Sequence, residues 1–366
     1  HGTTWGFYTP PTSDWKKQLQ DYQDDDSQFL FEIYSGHGNS EEYRTWNDAN
    51  INSSGEIFCS EATENFMPTC QQAGQIMAKR CEGSEMDEQT CKYLVDQTKL
   101  FAAQMGPTGY AAVNETNPDD YLNAGQCNDC FLPSFNYRPK QSAQYALALS
   151  NFAGSEGGPK RYNFGFIAST DDHTARPGTG YKQYERRKMT FATGVKSKMW
   201  EYKYDAEDPN FPEIPKIEPG ESQPDSERVS SFVYPGGILA VHSQGRGKDQ
   251  IWSALKNKNV YGTSGPRILL WFDLMNSPEG KIPMGSEIKM SQNPQFEVRA
   301  AGSFKQNPGC SNESIDSLSP ERLEYLCSGE CYNPSNERQI IERIEIIKIT
   351  PQSYVGEAIS PLIEDA

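Results

Sequence analysis

Nine cysteines fall into two windows of this 366-residue chain: Cys59, Cys70, Cys81, Cys91, Cys127 and Cys130 in one, Cys310, Cys327 and Cys331 in the other. Clustered cysteines constrain a fold more than any propensity, because each cross-link removes freedom from the unfolded chain. In an acidic chain they read as disulfides of an exported protein rather than as zinc ligands. The pair in "CNDC", Cys127 and Cys130, has the spacing of a zinc or redox site. No second CxxC or His pair accompanies it, so structural bridges are the reading adopted. The odd count leaves one thiol free or bonded to another chain. Cys81 and Cys91 flank an interruption at Glu82-Gly83-Ser84 in "MPTCQQAGQIMAKRCEGSEMDEQTCKYLVDQTKLFAAQMG". Helical spacing on both sides predicts a helical hairpin that this pair is placed to staple. The expected location is periplasmic or secreted. Sequons at Asn52, Asn114 and Asn312 signal glycosylation only in a eukaryotic secretory setting.

The net charge of −16 repels nucleic acid phosphates and anionic lipid, and no Lys/Arg cluster runs against that sign. No apolar run approaches the ~20 residues of a membrane span, so neither nucleic acid nor membrane insertion is expected. An anionic substrate is compatible with such acidity only where metal ions or a local arginine group reverse the field. The length suits about two domains, or one large α/β barrel with an appendage.

Along the chain, "SQFLFEIYSGHG" reads as a short strand from Phe29 to Tyr34 running into a Gly-bracketed loop. "RPKQSAQYALALSNFA" reads as a helix with Pro139 in its first turn. "RYNFGFIAST" is a buried-strand pattern, "GGILAVHS" a strand, "KDQIWSALKNKN" a helix, and "GTSGPRILLWFDLM" a turn entering a long apolar strand. Residues 203–230, rich in Pro, Asp and Glu, read as a surface excursion or linker. From about Pro283 the pattern turns to alternating strands, as in "PQFEVRAAGSF" and "IIERIEIIKI". Residues 1–267 are therefore expected to form an α/β unit with a disulfide-bearing helical insertion near 59–130. Residues 268–366 are expected to form a mainly β appendage.

The chemistry-bearing residues cluster where strands end. In "TDDHTARPG", Asp171 and His173 stand at i and i+2, so in an extended loop both face one side while Asp172 points away. That spacing suits a metal-ligand pair, and an Asx-turn with a surface histidine is its bland counterpart. His37 follows the first strand, with Glu32 on the strand and Glu41 beyond, and His1 opens "HGTTWG". Three of the four histidines thus occupy loop settings rich in ligands for zinc, manganese or iron. His242, among apolar residues, reads as a satisfied core or rim histidine. Arg176, before Pro177, and Arg267, closing "TSGPR", offer guanidinium forks for phosphate or carboxylate oxygens. There is no G-x-S-x-G elbow, P-loop or G-x-G-x-x-G fingerprint.

The blocks "LNAGQCNDCFLPSFNYRPKQSAQYALALSNF", "FGFIASTDDHTARPGTGYK" and "QIWSALKNKNVYGTSGPRI" resemble a mostly bacterial domain-of-unknown-function family (number 3604) placed among the PHP (polymerase and histidinol phosphatase) metal-dependent hydrolases. The resemblance implies a distorted (β/α)7 barrel with two or three metal ions at the C-terminal ends of its strands, hydrolysing phosphoesters. Under it, Asp171 and His173 match the late D-x-H pair, Glu32 and His37 the middle acid and histidine, and His1 the histidine placed before them. The first H-x-H of the superfamily is absent, and members are longer at the N-terminal end. The expectation is a barrel whose N-terminal strands are missing from this chain, completed by a companion segment.

The functional expectation is a metal-dependent phosphoesterase. His1, Glu32, His37, Asp171 and His173 would hold divalent metal, and Asp172, Arg176 and Arg267 would serve catalysis on a small anionic substrate. The rival is a non-catalytic exported binding or assembly protein that keeps the fold. A narrower alternative has the α-amine and imidazole of a mature His1 chelating copper.

Overall fold

The computed structural model describes residues 14–35, 38–43, 49–52, 54, 56–105, 112–114, 116, 118–121, 123–124, 139–153, 158–169, 237–327 and 331–365. Helix α1 (Trp15–Asp21) is started by Asp14, whose carboxylate accepts from the Lys16 amide at 2.8 Å. Strand β1 (Leu30–Ser35), within one residue of the expected strand, buries Phe31, Ile33 and Ser35 and leaves the alternate residues half-buried. It pairs with β2 (Gly38–Asn39) antiparallel and with β5 (Gly165–Ala168) in parallel, Leu30 opposite Gly165 and Glu32 opposite Ile167.

Between these partners lie the hairpin β3 (Ala49–Ile51) and β4 (Ile57–Cys59), then α2 (Thr69–Glu82) and α3 (Glu88–Met105). The helical hairpin has the predicted form, and Cys81–Cys91 closes it across the turn. Cys59–Cys70 ties β4 to the first turn of α2. The core here is small side chains, Ala73, Ala102, Ala103, Ala112 and Ala124, around Val113 and Tyr121. Gly74 lets α3 approach: a Cβ there would stand 2.6 Å from the Lys99 stem.

The expected helix after Pro139 shortens to one 3-10 turn, Pro139–Gln141, and α4 (Ala143–Ala148), capped by the Ser142 hydroxyl. A second core forms where α1, α4 and β1 meet. Trp15 packs against Phe31, Tyr162 and Phe164 with ring centroids 5.1, 5.5 and 6.0 Å apart, while its Nε1 donates to the Gln141 carbonyl at 2.8 Å.

Strands β6 (Ile238–Val241) and β7 (Val260–Thr263) pair antiparallel across α5 (Lys248–Lys256). Downstream, β8 (Leu269–Ser277), β9 (Gly280–Pro283) and β10 (Phe296–Ala301) form an antiparallel sheet in the order β10-β8-β9. Strand β11 (Phe304–Pro308) pairs with β12 (Tyr332–Arg338) around α6 (Asn312–Ser317) and α7 (Pro320–Cys327), and Cys310–Cys331 closes that excursion. The chain ends in the pair β13 (Ile347–Ile349) and β14 (Ile363–Asp365).

One strand expectation is corrected. "IIERIEIIKI" is extended and paired only over β13, leaving Ile340 84% and Ile344 50% exposed. Alternation makes a segment fit for a sheet, but pairing needs a partner, and β14 reaches only three residues of it. The architecture is mixed α/β with small sheets, and no sheet closes into a barrel among the described residues. The CNDC pair and residues 203–230 lie outside them. No described helix is long and apolar enough to cross a membrane.

Candidate functional site

Three strands bring their C-terminal ends to one place. β1 and β5 are parallel neighbours, and the Ser169 amide extends the ladder to the Tyr34 carbonyl at 3.0 Å. Strand β7 runs along β5 in the same direction. Built Cβ atoms show this: one on Gly165, at the start of β5, would meet Lys258 and Val260 at 2.9 and 3.1 Å, and one on Gly262 would meet Ala168, at its end, at 2.8 Å. Gly237, opening β6, closes the group. Its amide donates to the Ser169 carbonyl, and a Cβ there would lie 2.6 Å from Ala168, 2.8 Å from the Thr263 carbonyl and 2.9 Å from that of Tyr34. At Gly237 and Gly262 backbone atoms of the neighbouring strands lie within about 3 Å of the place a Cβ would take, and at Gly165 side chains do, so a side chain at any of the three would force the strands apart.

Glu32 is the acid in this cluster. Strand alternation turns it away from the aromatic core that holds Phe31 and Ile33, and the Ser169 hydroxyl donates to its Oε1. The backbone around it is braced: buried Ser40 donates its hydroxyl to the Glu32 carbonyl at 2.9 Å and its amide to the Ile33 carbonyl at 2.8 Å. Gly36 and His37 link the Ser35–Gly38 pair in sequence. After β7, the Thr263 hydroxyl accepts from the Gly265 amide at 3.2 Å, Gly265 takes φ +118°, and the turn delivers Arg267 to the surface.

Of the predicted site residues, Glu32 and Arg267 are described. His1, His37, Asp171, Asp172, His173 and Arg176 lie outside the described residues. Among the described residues no group of three or more His, Cys, Asp or Glu side chains assembles as a metal site. Glu32 fits one position in such a site, a half-buried carboxylate held at a strand end by a hydroxyl. His242 is satisfied structurally, with Nε2 2.8 Å from the Leu270 carbonyl and its ring against Tyr261 and Trp271.

Ser169, Gly237 and Gly262 are the contributors that sequence reading passed over. Ser169 closes "GFIAS" at the strand end and meets Glu32 across 137 residues of chain. Only the strand pairing brings them together.

With three strand ends gathered around Glu32 and Ser169, sequence comparison separates what is shared from what is particular. Residues 153–306 match the family described as protein of unknown function (DUF3604). The DUF3604 match begins before β5, passes through β6, β7 and β8, and ends in β11, so it includes both β5 and the Arg267 turn. Two of the three sequence blocks, those at β5 and at α5–β7, lie inside it. No curated protein and no solved structure matches the chain.

Proposed function

We propose that this protein is a metal-dependent hydrolase, acting on phosphoesters. The observation that carries the reading is the shared end of β1, β5 and β7. The segments leaving these three strands hold His37, the Asp171-x-His173 pair and Arg267, and the Glu32–Ser169 bond lies where they start. Functional groups in parallel α/β architectures gather at the C-terminal ends of strands because loops there converge from several strands while the sheet fixes their origins. Membership of the PHP superfamily is part of the same proposal.

His1, Glu32, His37, Asp171 and His173 are the residues that would hold two or more divalent ions, zinc, manganese or iron. Bound metal supplies a water of lowered pKa and neutralises anionic oxygens. The chain's own part is to orient and to balance charge. Ser169 fixes the Glu32 carboxylate, Asp172 orients a ligand or accepts a proton, and Arg176 and Arg267 present guanidinium forks to phosphoryl oxygens. In a chain of net charge −16, such cations are what lets a small anion approach. The three disulfides among the described residues fit an oxidising compartment. We place the protein in the periplasm or outside the cell.

The deciding experiment couples elemental analysis of protein from its native source to a phosphoester screen. Stoichiometric transition metal is expected, with hydrolysis that chelation abolishes. Asp171→Ala is expected to lose both metal and activity while its circular dichroism stays unchanged. Hydrolysis that survives chelation, or that persists in Asp171→Ala, overturns the assignment.

A further inference from the structure

The residues between β12 and β13 have the composition of a strand and no strand beside them. Residues 340–346, "IIERIEI", include four isoleucines and neither Pro nor Gly. They form no helix, turn or bend, and none of their N–H or C=O groups joins a backbone hydrogen bond among the described residues. Strand β14 pairs only from Ile347 onward, beginning opposite Asp365. Ile340 and Ile344 are exposed. A stretch of this kind presents open backbone groups as a template on which another strand can form.

Its charges select the occupant. Arg343 and Glu345 stand two residues apart, on one face of an extended chain, and hold each other at 2.8 Å on the surface. A second copy running antiparallel is related by a two-fold axis normal to the shared sheet, which keeps every residue on its own face. One residue then lies on the axis, and residues equally far before and after it oppose each other across the two chains. An axis through Glu342 or Glu345 sets carboxylate against carboxylate, and one through Arg343 sets guanidinium against guanidinium, both unfavourable pairs. An axis through Ile344 sets Arg343 of each copy opposite Glu345 of the other. It also sets Ile341 opposite Ile347 and Glu342 opposite Ile346, and no like charges meet across residues 341–347.

We infer that two copies of this chain associate through an antiparallel β-ladder over residues 341–347, with the two-fold axis at Ile344. The four charges form two crossed ion pairs, and the isoleucines of one copy cover those of the other. This surface lies on the C-terminal strands and is independent of the hydrolase reading.

The test is sedimentation equilibrium of the full chain with its disulfides intact, at physiological salt and from about 1 to about 200 μM, since a single strand pair buries little area. Expected is a reversible rise from one chain mass to two. Ile344→Lys puts two ammonium groups on the axis at a half-exposed position, and is expected to leave a single chain at every concentration with unchanged circular dichroism. Arg343→Glu and Glu345→Arg each set like charges opposite, and each is expected to raise the dissociation constant about tenfold. Combined in one chain they restore opposite charges, and the double variant is expected to return to within about threefold of the wild type. A single chain at every wild-type concentration, the result if this edge takes a strand of another protein, overturns the inference. So does a dimer that survives Ile344→Lys, or a double variant as weak as the single ones.

Discussion

At the scale of single residues, Glu41 shows how nearby protein changes a carboxyl group whose residue still reaches solvent. Its pKa stands above the ordinary value of 4.5 because neighbouring protein takes the place of part of its hydration. A group that holds its proton more tightly folded than unfolded contributes stability that is complete below the unfolded pKa and is lost as pH rises through the folded one. The wild-type urea midpoint is therefore expected to fall, relative to that of Glu41→Gln, as pH rises from about 4 to about 8. A difference between the two proteins that stays constant with pH would show that Glu41 titrates as it does in the unfolded chain. Near Glu41 in sequence, Glu32 lies on the opposite face of β1 and bonds to Ser169. Sequence reading could single out Glu32 as an acid on an apolar strand. It had no means of supplying the hydroxyl, because no local pattern links residues 137 positions apart.

At the scale of elements, the close approach of β7 to β5 rests on Gly262, where a Cβ would meet the Ala168 side chain at 2.8 Å and its amide nitrogen at 3.0 Å. Gly262→Ala is expected to destabilise by about 1–3 kcal/mol through overpacking, read as a lower urea midpoint at unchanged slope. Gly83→Ala is the matched control: it ends α2 at φ −86° and meets only the Arg80 carbonyl at an ordinary 3.6 Å, so it is expected to be neutral or slightly stabilising. Equal effects of the two substitutions would mean that β7 is not held against β5 by this contact. These elements also mark what a sequence can convey. The α2–α3 hairpin was legible because its helical period, its Gly turn and the flanking Cys81 and Cys91 are all local. β1, β5, β8 and β10 were legible from apolar runs or alternation. Strand β7 was not, since "NVYGT" is short and its place is fixed by glycines that matter only once β5 lies beside it. "IIERIEIIKI" misled in the opposite sense, its alternation promising a strand for which the fold supplies a partner at only three residues. Of the candidate site, Glu32 and Arg267 stand out by residue type, whereas the hydroxyl that Glu32 meets depends on which strands become neighbours.

At the scale of the whole molecule, packing crosses the boundary expected between residues 267 and 268. The Tyr261 hydroxyl donates to the Ile268 carbonyl at 2.8 Å and accepts the Leu270 amide at 3.1 Å. His242 reaches the Leu270 carbonyl, and Asn259 donates to that of Met284 at 2.8 Å. Further along, buried Gln352 joins the C-terminal segment to α4: its amide donates to the Ala148 carbonyl at 2.8 Å, and its own carbonyl accepts the Ser150 hydroxyl at 2.8 Å. Apolar residues on both sides of the boundary, Ile33 and Phe166 on one and Phe272 and Leu274 on the other, line one cavity. Separating the two parts would orphan these polar groups, each costing on the order of 1–3 kcal/mol when left buried, and would bare the β8-facing wall to water. The full chain is therefore expected to unfold in urea as one cooperative transition, with tryptophan fluorescence and circular dichroism coinciding. A chain ending at Arg267 is expected to bind a hydrophobic dye and to lose that cooperativity. If the shortened chain instead melted as sharply as the full one, the C-terminal strands would be an attachment and not part of the core that holds β1, β5 and β7 in place.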